Sequence, residues 1–435
     1  MSGNDIVGLV GIAALLLLMA LRVPIGIAML LVGIVGFAIL NGTPAALAAL
    51  GSYPYQYAAV YDFAVIPLFV LMGNLGSVSG MARDLYAAAY SWIGQMRGGL
   101  AHATILACAG FAAVSGSSVA SAVTMGKVCL PEMRRYNYSH RLSTGVIAAG
   151  GTLGILIPPS TAFVIYGLLT EQSIGKLLLA GILPGILLAA LFMVTVAVWM
   201  RIKPHYGPPG PRVAWNERGW SLLRAAPMIV IVLVSIGGIY IGAFTPSEAA
   251  AVGAALAFGY ALLRGSLGGG NLSAILIETV NTTALVFLIL IGALVFGPFL
   301  ALSGLPEKIA QSLAGLDVPR VVILIIILSV YIVLGTFLEG FSMLVLTLPI
   351  VFPIVKALGY DPIWFGVLMV IVLEMGLISP PVGINVFIVK GLVPDVPMSE
   401  IFVGVLPFWL AMIVCTAILI VFPEIATFIP NRMIK

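Results

Sequence analysis

The sequence predicts an all-α polytopic membrane protein built from inverted repeats, with two re-entrant hairpins and two discontinuous helices. Three observations carry that reading. Of the 435 residues, 61% are hydrophobic and only 8% are charged, with a mean hydropathy of +1.18. So few charges could not solvate the surface of a soluble domain of this size. Apolar runs recur along the chain, among them 6–21, 182–200, 228–241 and 402–422. Finally, one proline-interrupted stretch occurs twice, 222 residues apart: Gly154-Ile155-Leu156-Ile157-Pro158-Pro159 and Gly376-Leu377-Ile378-Ser379-Pro380-Pro381. The same offset brings Leu130-Pro131 onto Phe352-Pro353 and Tyr138 onto Tyr360.

Residues 1–61 read as scaffold helices. The first apolar run lacks a basic leading segment and a small-residue cleavage site, so it is expected to be a retained span. Residues 62–200 form the first repeat. Its opening span ends at Ser79-Gly80, and a short helix carrying Arg83 and Asp84 follows, expected to lie flat at the interface. A hairpin is expected at about 100–130, with two full helices as the alternative, because basic residues flank both ends (Arg97 and Arg134) while Ser115-Gly116-Ser117-Ser118 makes a polar tip. Irregular backbone of that kind is tolerated at membrane depth only when buried in protein or lining a cavity. The first Pro-Pro break then interrupts a helix at about 141–170.

The stretch 201–224 reads as a cytoplasmic loop. It carries Arg201, Lys203, Arg212, Arg218 and Arg224 against Glu217, and is broken by Pro204, Pro208, Pro209 and Pro211. Residues 225–270 are again scaffold helices. The second repeat, 271–391, repeats the plan: Ser303-Gly304, a short helix with Glu307 and Lys308, a hairpin at about 321–355, and a broken helix at about 361–391. The second tip reads Gly335-Thr336-Phe337-Leu338-Glu339-Gly340. Residues 392–435 are expected to hold a C-terminal scaffold helix and tail. The total is about ten spans plus two hairpins, with the N-terminus outside and the hairpins opening to opposite faces. This count leaves the C-terminus outside, against the pull of Arg432 and Lys435.

Enzymatic constellations are scarce. His102, His140 and His205 have no partner at metal-ligand spacing. Cys108, Cys129 and Cys415 lie in apolar runs without a motif. Nothing at motif spacing activates Ser115–Ser118 as a nucleophile, and no phosphate-binding loop ends in Lys-Ser/Thr. The chain is therefore not expected to be an enzyme or to bind ATP. A net charge of +4 is too slight to suggest a nucleic-acid partner.

What remains at the repeated breaks is oxygen. A helix broken in mid-membrane frees carbonyls and amides that an ion, a ligand or buried protein must satisfy, and paired broken segments point to a secondary transporter's site. Sodium, a hard cation, suits five or six neutral oxygens. The expected sodium sets are Ser115, Ser117 and Ser118 with Gly154, Ile157 and Pro159, and Gly335 and Thr336 with Gly376, Ser379 and Val382. The apolar members would contribute their carbonyls. Ser160, Thr161 and Asn385 lie just beyond the breaks and would line a cavity for an anionic substrate, with Glu339 near the second tip. Glu339 and Glu374 would neutralise a cation, carry a proton or only support the fold.

Four segments in this order resemble the large membrane subunit of the tripartite ATP-independent periplasmic (TRAP) transporters, the DctM or SiaM subunit. They are Pro67-Leu68-Phe69-Val70-Leu71-Met72-Gly73-Asn74, Ser115-Gly116-Ser117-Ser118-Val119-Ala120, Leu156-Ile157-Pro158-Pro159-Ser160 and Leu377-Ile378-Ser379-Pro380-Pro381-Val382-Gly383. The resemblance covers essentially the whole chain. It implies an elevator-type carrier of the bacterial inner membrane, with sodium as coupling ion at the two hairpin tips. It also implies two partners, a small four-helix membrane subunit and a periplasmic binding protein that delivers an organic acid. The small subunit is not expected to be fused here. A stand-alone sodium- or proton-coupled dicarboxylate carrier is the alternative.

Overall fold

A computed structural model describes residues 3–315 and 317–433. Their regular structure is helical throughout. The first half runs α1 (Gly3–Ala20), α2 (Ile25–Asn41), α3 (Thr43–Ala58), α4 (Val65–Val78), α5 (Met81–Ile93), α6 (Gly99–Ser115), α7 (Ser118–Arg135), α8 (His140–Leu156), α9 (Thr161–Thr170), α10 (Ile174–Ala180) and α11 (Ile182–Ile202). The second runs α12 (Trp215–Tyr240), α13 (Pro246–Leu263), α14 (Asn271–Ser303), α15 (Leu305–Ala314), α16 (Arg320–Gly335), α17 (Gly340–Ala357), α18 (Pro362–Leu377), α19 (Ile384–Leu392), α20 (Met398–Val421) and α21 (Glu424–Asn431).

Nine helical segments among the described residues are long and apolar enough to cross a membrane, against the ten expected. At 17 residues α2 falls just short, and the second broken helix divides into α18 and α19, neither long enough alone. Conversely α17, an arm of the second hairpin, meets both criteria by itself.

Packing sorts the helices into two groups. In the outer group α14 lies along α2 and α13 along α4, with α1, α3 and α12 beside them. Small residues let these backbones touch: a Cβ on Gly292 would lie 2.4 Å from the Gly26 carbonyl oxygen. The inner group brings the two halves together. There α8 packs on α6, α7 and α20, while α7 packs on α19, α9 on α17, and α16 on α18. Two ion pairs cross the halves at its edge, Arg134–Asp395 at 2.6 Å and the two-pronged Arg141–Glu400 at 2.5 and 2.8 Å. The helix α20, expected to be scaffold, thus belongs with the broken helices. The tail beyond it forms α21, which packs against α10.

The helices α5 and α15 start alike. Gly80 and Gly304 take left-handed φ values of +84° and +69°, which glycine adopts at no steric cost, and each turns the chain sharply out of the preceding span. Asp84 on α5 pairs with Arg264, just past α13, and Lys308 on α15 pairs with the buried Asp5 of α1 at 2.6 Å.

The stretch 201–224 is shorter as a loop than its charges suggest, because α12 begins at Trp215. No proline follows Pro211 until Pro227, and Arg218 covers the Trp215 ring at 4.6 Å, so Arg218 and Arg224 lie on α12. The non-helical part is stitched to the first hairpin's base. Gly98 N–H donates to the Gly207 carbonyl at 2.8 Å, and Ser139 N–H to the Tyr206 carbonyl at 2.9 Å. Residues 98 and 139 bracket α6 and α7, so both ends of that helix pair lie at one loop.

Candidate functional site

Each hairpin tip meets a helix break of its own half. The first tip turns at Gly116, whose φ of +60° closes α6, and Ser117 then caps α7 by accepting from Ala120 N–H at 3.3 Å. The break 157–160 carries a cis Pro158-Pro159 bond and leads to Ser160, which caps α9 by accepting from Phe163 N–H at 3.2 Å. Tip and break touch at two places. A Cβ on Gly116 would lie 2.9 Å from the Pro159 carbonyl oxygen, and one on Gly154 would lie 2.6 Å from the Ser117 carbonyl oxygen. Thr161 Oγ1 donates to the Gly116 carbonyl at 2.9 Å, fastening the start of α9 to the tip.

Behind the first tip, the Ser115 and Ser121 hydroxyls lie 2.6 Å apart. Ser121 is fully buried and was not anticipated, although it stands one helical turn beyond Ser118 on the face that meets Gly154. The tip also rests on α4, where a Cβ on Gly73 would lie 2.7 Å from the Ser115 carbonyl oxygen. One residue on, Asn74 donates to Thr279 of α14 at 3.0 Å, so the 67–74 motif anchors the tip to the outer group.

The second tip meets the second break through Gly335 and Gly376. Thr336 turns its hydroxyl back to the Val333 carbonyl at 2.7 Å. Ser379 Oγ donates to the Met375 carbonyl at 2.6 Å and accepts from the indole N–H of Trp409 at 2.8 Å. Pro380-Pro381 is cis like its counterpart, but both prolines are exposed, whereas Pro158 and Pro159 are buried. Val382 is half-buried beside them. Glu339, expected to line the substrate cavity, caps α17, accepting from Ser342 N–H at 3.0 Å and from its hydroxyl at 3.1 Å.

Several buried polar atoms in this region lack a protein partner: Ser118 Oγ, Glu374 Oε2, and both Asn385 Oδ1 and Nδ2. Buried polar groups are normally satisfied, so such a set marks a place where a ligand, ion or water belongs. Ser118 begins α7 and Asn385 lies in the first turn of α19, the helix that packs along it. Helix starts present free N–H groups and a partial positive charge, which suits an anion. The arrangement thus combines hydroxyl and carbonyl oxygens at two breaks with helix starts between them, and can hold small cations beside an anionic solute.

The chain resembles known proteins over nearly its whole length. The family described as "Tripartite ATP-independent periplasmic transporter, DctM component" matches residues 12–425. The C4-dicarboxylate TRAP transporter large permease protein DctM of Pseudomonas aeruginosa is 35% identical over 394 residues, covering 90% of this chain and 92% of that one. The sialic acid TRAP transporter large permease protein SiaM of Vibrio cholerae is 33% identical, covering 94% and 95%. Among solved structures, the YdaH transporter of Alcanivorax borkumensis shares the fold, with a TM-score of 0.59 over 89% of each chain at 15% identity. The chain is therefore a membrane transport protein and not an enzyme, and it belongs to the DctM family of TRAP transporter large permease subunits.

Proposed function

We propose that this chain is the translocation subunit of a sodium-driven tripartite importer in the bacterial inner membrane. Its solute is an organic acid that a periplasmic binding protein delivers, and a small membrane subunit braces the outer helices. The observation that supports this best is the pairing of each hairpin tip with a broken helix, which supplies neutral oxygens twice in one core. The two hairpins enter the bilayer from opposite faces, and the inner group moves against the outer one in the manner of an elevator. The unequal exposure of the two Pro-Pro breaks suits one end state of such a cycle. The names of the relatives, C4-dicarboxylate and sialic acid transporters, support the acid class of solute.

The test is reconstitution of the chain with both partners in liposomes. Uptake should require an inward sodium gradient, rise more than linearly with sodium, and increase with a membrane potential positive outside. Equal uptake driven by protons in sodium-free buffer rejects the proposal. One observation favours that second reading, a proton-coupled carrier: Glu374 is buried with one carboxylate oxygen unpartnered. In that case Glu374→Gln abolishes proton-driven uptake.

A further inference from the structure

The two breaks are not chemically equivalent, and the difference lies in one hydrogen bond. Ser379 is 4% exposed, and its proton is committed to the Met375 carbonyl. A hydroxyl oxygen accepts at two positions. The indole N–H of Trp409 fills one of them, from the neighbouring helix α20. One acceptor position remains, and its direction is fixed by the other two bonds. In the first half, 222 residues earlier, stand Ile157 and Leu187. There Ile157 packs on α11, where a Cβ on Gly185 would lie 2.5 Å from its Cγ1. Hydrocarbon thus occupies the place that an oriented hydroxyl takes in the second half.

We infer that Trp409 is a positioning residue for the second break, aiming the free lone pair of Ser379 at a small cation held between that break and the second hairpin tip. An indole N–H is a donor only and cannot itself hold a cation, so Trp409 acts through Ser379. The ring also lines a cleft of about 600 Å³ with Thr336, Pro380 and Pro381, which places it beside the tip as well as the break. At the position equivalent to Ser379 the first break has Ile157, whose side chain carries no oxygen. Discrimination between sodium and the smaller lithium should therefore reside mainly in the second site, where the oxygen cannot swing to follow a shorter contact. This inference rests on the sodium-driven reading above.

The experiment uses the reconstituted tripartite complex with saturating loaded binding protein, with sodium or lithium as the only coupling ion. Trp409→Phe keeps the ring and removes the N–H. It should raise half-saturating sodium about fivefold, by analogy with one lost hydrogen bond, and narrow the preference for sodium over lithium. Ser379→Ala should do the same, and adding Trp409→Phe to it should change nothing further. An additional loss in the double variant would show that the ring acts by packing, and would overturn the inference. So would sodium and lithium curves for Trp409→Phe that match the wild type. A wild type indifferent to sodium would instead sink the sodium-driven reading, and this inference with it. A second measurement does not depend on the Trp409→Phe protein folding. The chain has six tryptophans, and in ¹⁵N-labelled protein in nanodiscs one indole N–H resonance should move both on sodium titration and in Ser379→Ala. A spectrum in which sodium moves no indole signal overturns the assignment.

Discussion

Gly335, the last residue of α16, and Gly376, one residue before the end of α18, lie backbone to backbone. A Cβ on Gly376 would fall 2.6 Å from the Gly335 Cα, and one on Gly335 would fall 3.0 Å from the Gly376 Cα. The second tip sits on its break only because neither residue has a side chain.

Replacing either glycine therefore forces the hairpin off the break. Gly376→Ala should cut transport on the order of tenfold or more, the scale of an overpacked interior, while the protein still inserts. Gly297, on α14, faces open space. Gly297→Ala should leave transport unchanged and leave thermal stability equal or slightly higher, since alanine favours a helix over glycine. Uptake assays and melting curves on the two variants check this; normal uptake by Gly376→Ala would remove the importance of the contact.

Ser118 offers a cleaner probe of the first site than its neighbours. Its hydroxyl is buried and makes no close hydrogen bond within the protein, its polar neighbour being the Glu374 carboxyl, so Ser118→Ala removes little that the fold relies on. It should leave the melting temperature unchanged while raising half-saturating sodium about fivefold, the scale of one oxygen contact. Ser117→Ala differs, because it also removes the cap of α7 and should lower stability by about 1 kcal/mol. Pro159→Ala and Pro381→Ala should impair transport more than either, by letting the broken helix close over several carbonyls. Near-normal sodium-dependent uptake in both proline variants would argue against cation sites at the breaks.

The Arg134–Asp395 pair gives a pH signature outside the membrane-spanning segments. The guanidinium donates to Asp395 and holds its carboxyl below the usual carboxylate range. A carboxyl with a lowered folded-state pKa stabilises the fold above its unfolded value and loses that contribution as pH falls through the folded value. The difference in melting temperature between the wild type and Asp395→Asn should hence be constant near neutrality. It should shrink only at pH values below the ordinary aspartate range. A difference that changed instead between pH 6 and 8 would mean that another group controls the contact.

Free organic acid should be a poor substrate. At one solute concentration, uptake should need the small subunit and the loaded binding protein together, and omission of either should reduce it to near background. Full uptake by this chain alone would favour the stand-alone carrier.

The turns and breaks along the chain were legible because they are written in residues that cannot hide. Pro-Pro ends a helix wherever it falls, and Ser-Gly pairs mark the turns before α5 and α15. The breaks after α8 and α18 were legible for the same reason. Trp409 was not: it reaches Ser379 from a different helix thirty residues on, and no spacing rule connects them. Ser121 was missed because a serine inside an apolar helix more often marks close packing than a site. Glu339 is ambiguous in the sequence for a related reason, since a carboxylate before a helix is a good cap whether or not it meets a solute. The start of α12 was obscured because basic residues suit a loop and an exposed helical turn equally.

The two ion pairs on α5 and α15 have a consequence for how the molecule comes into being. Asp84 belongs to the first half and is held by Arg264 of the second, while Lys308 of the second is held by Asp5 of the first. The long contacts of α2 with α14 and of α13 with α4 run the same way. Each half therefore gives its leading helices to its sibling and borrows the sibling's in return. A ribosome that has finished only the first half has made a piece whose α4 still lacks α13 and whose α2 still lacks α14. Completion of the frame must wait until the second half has entered the bilayer, which makes the chain an obligate heterodimer of its own two parts, joined by a short proline-rich tether.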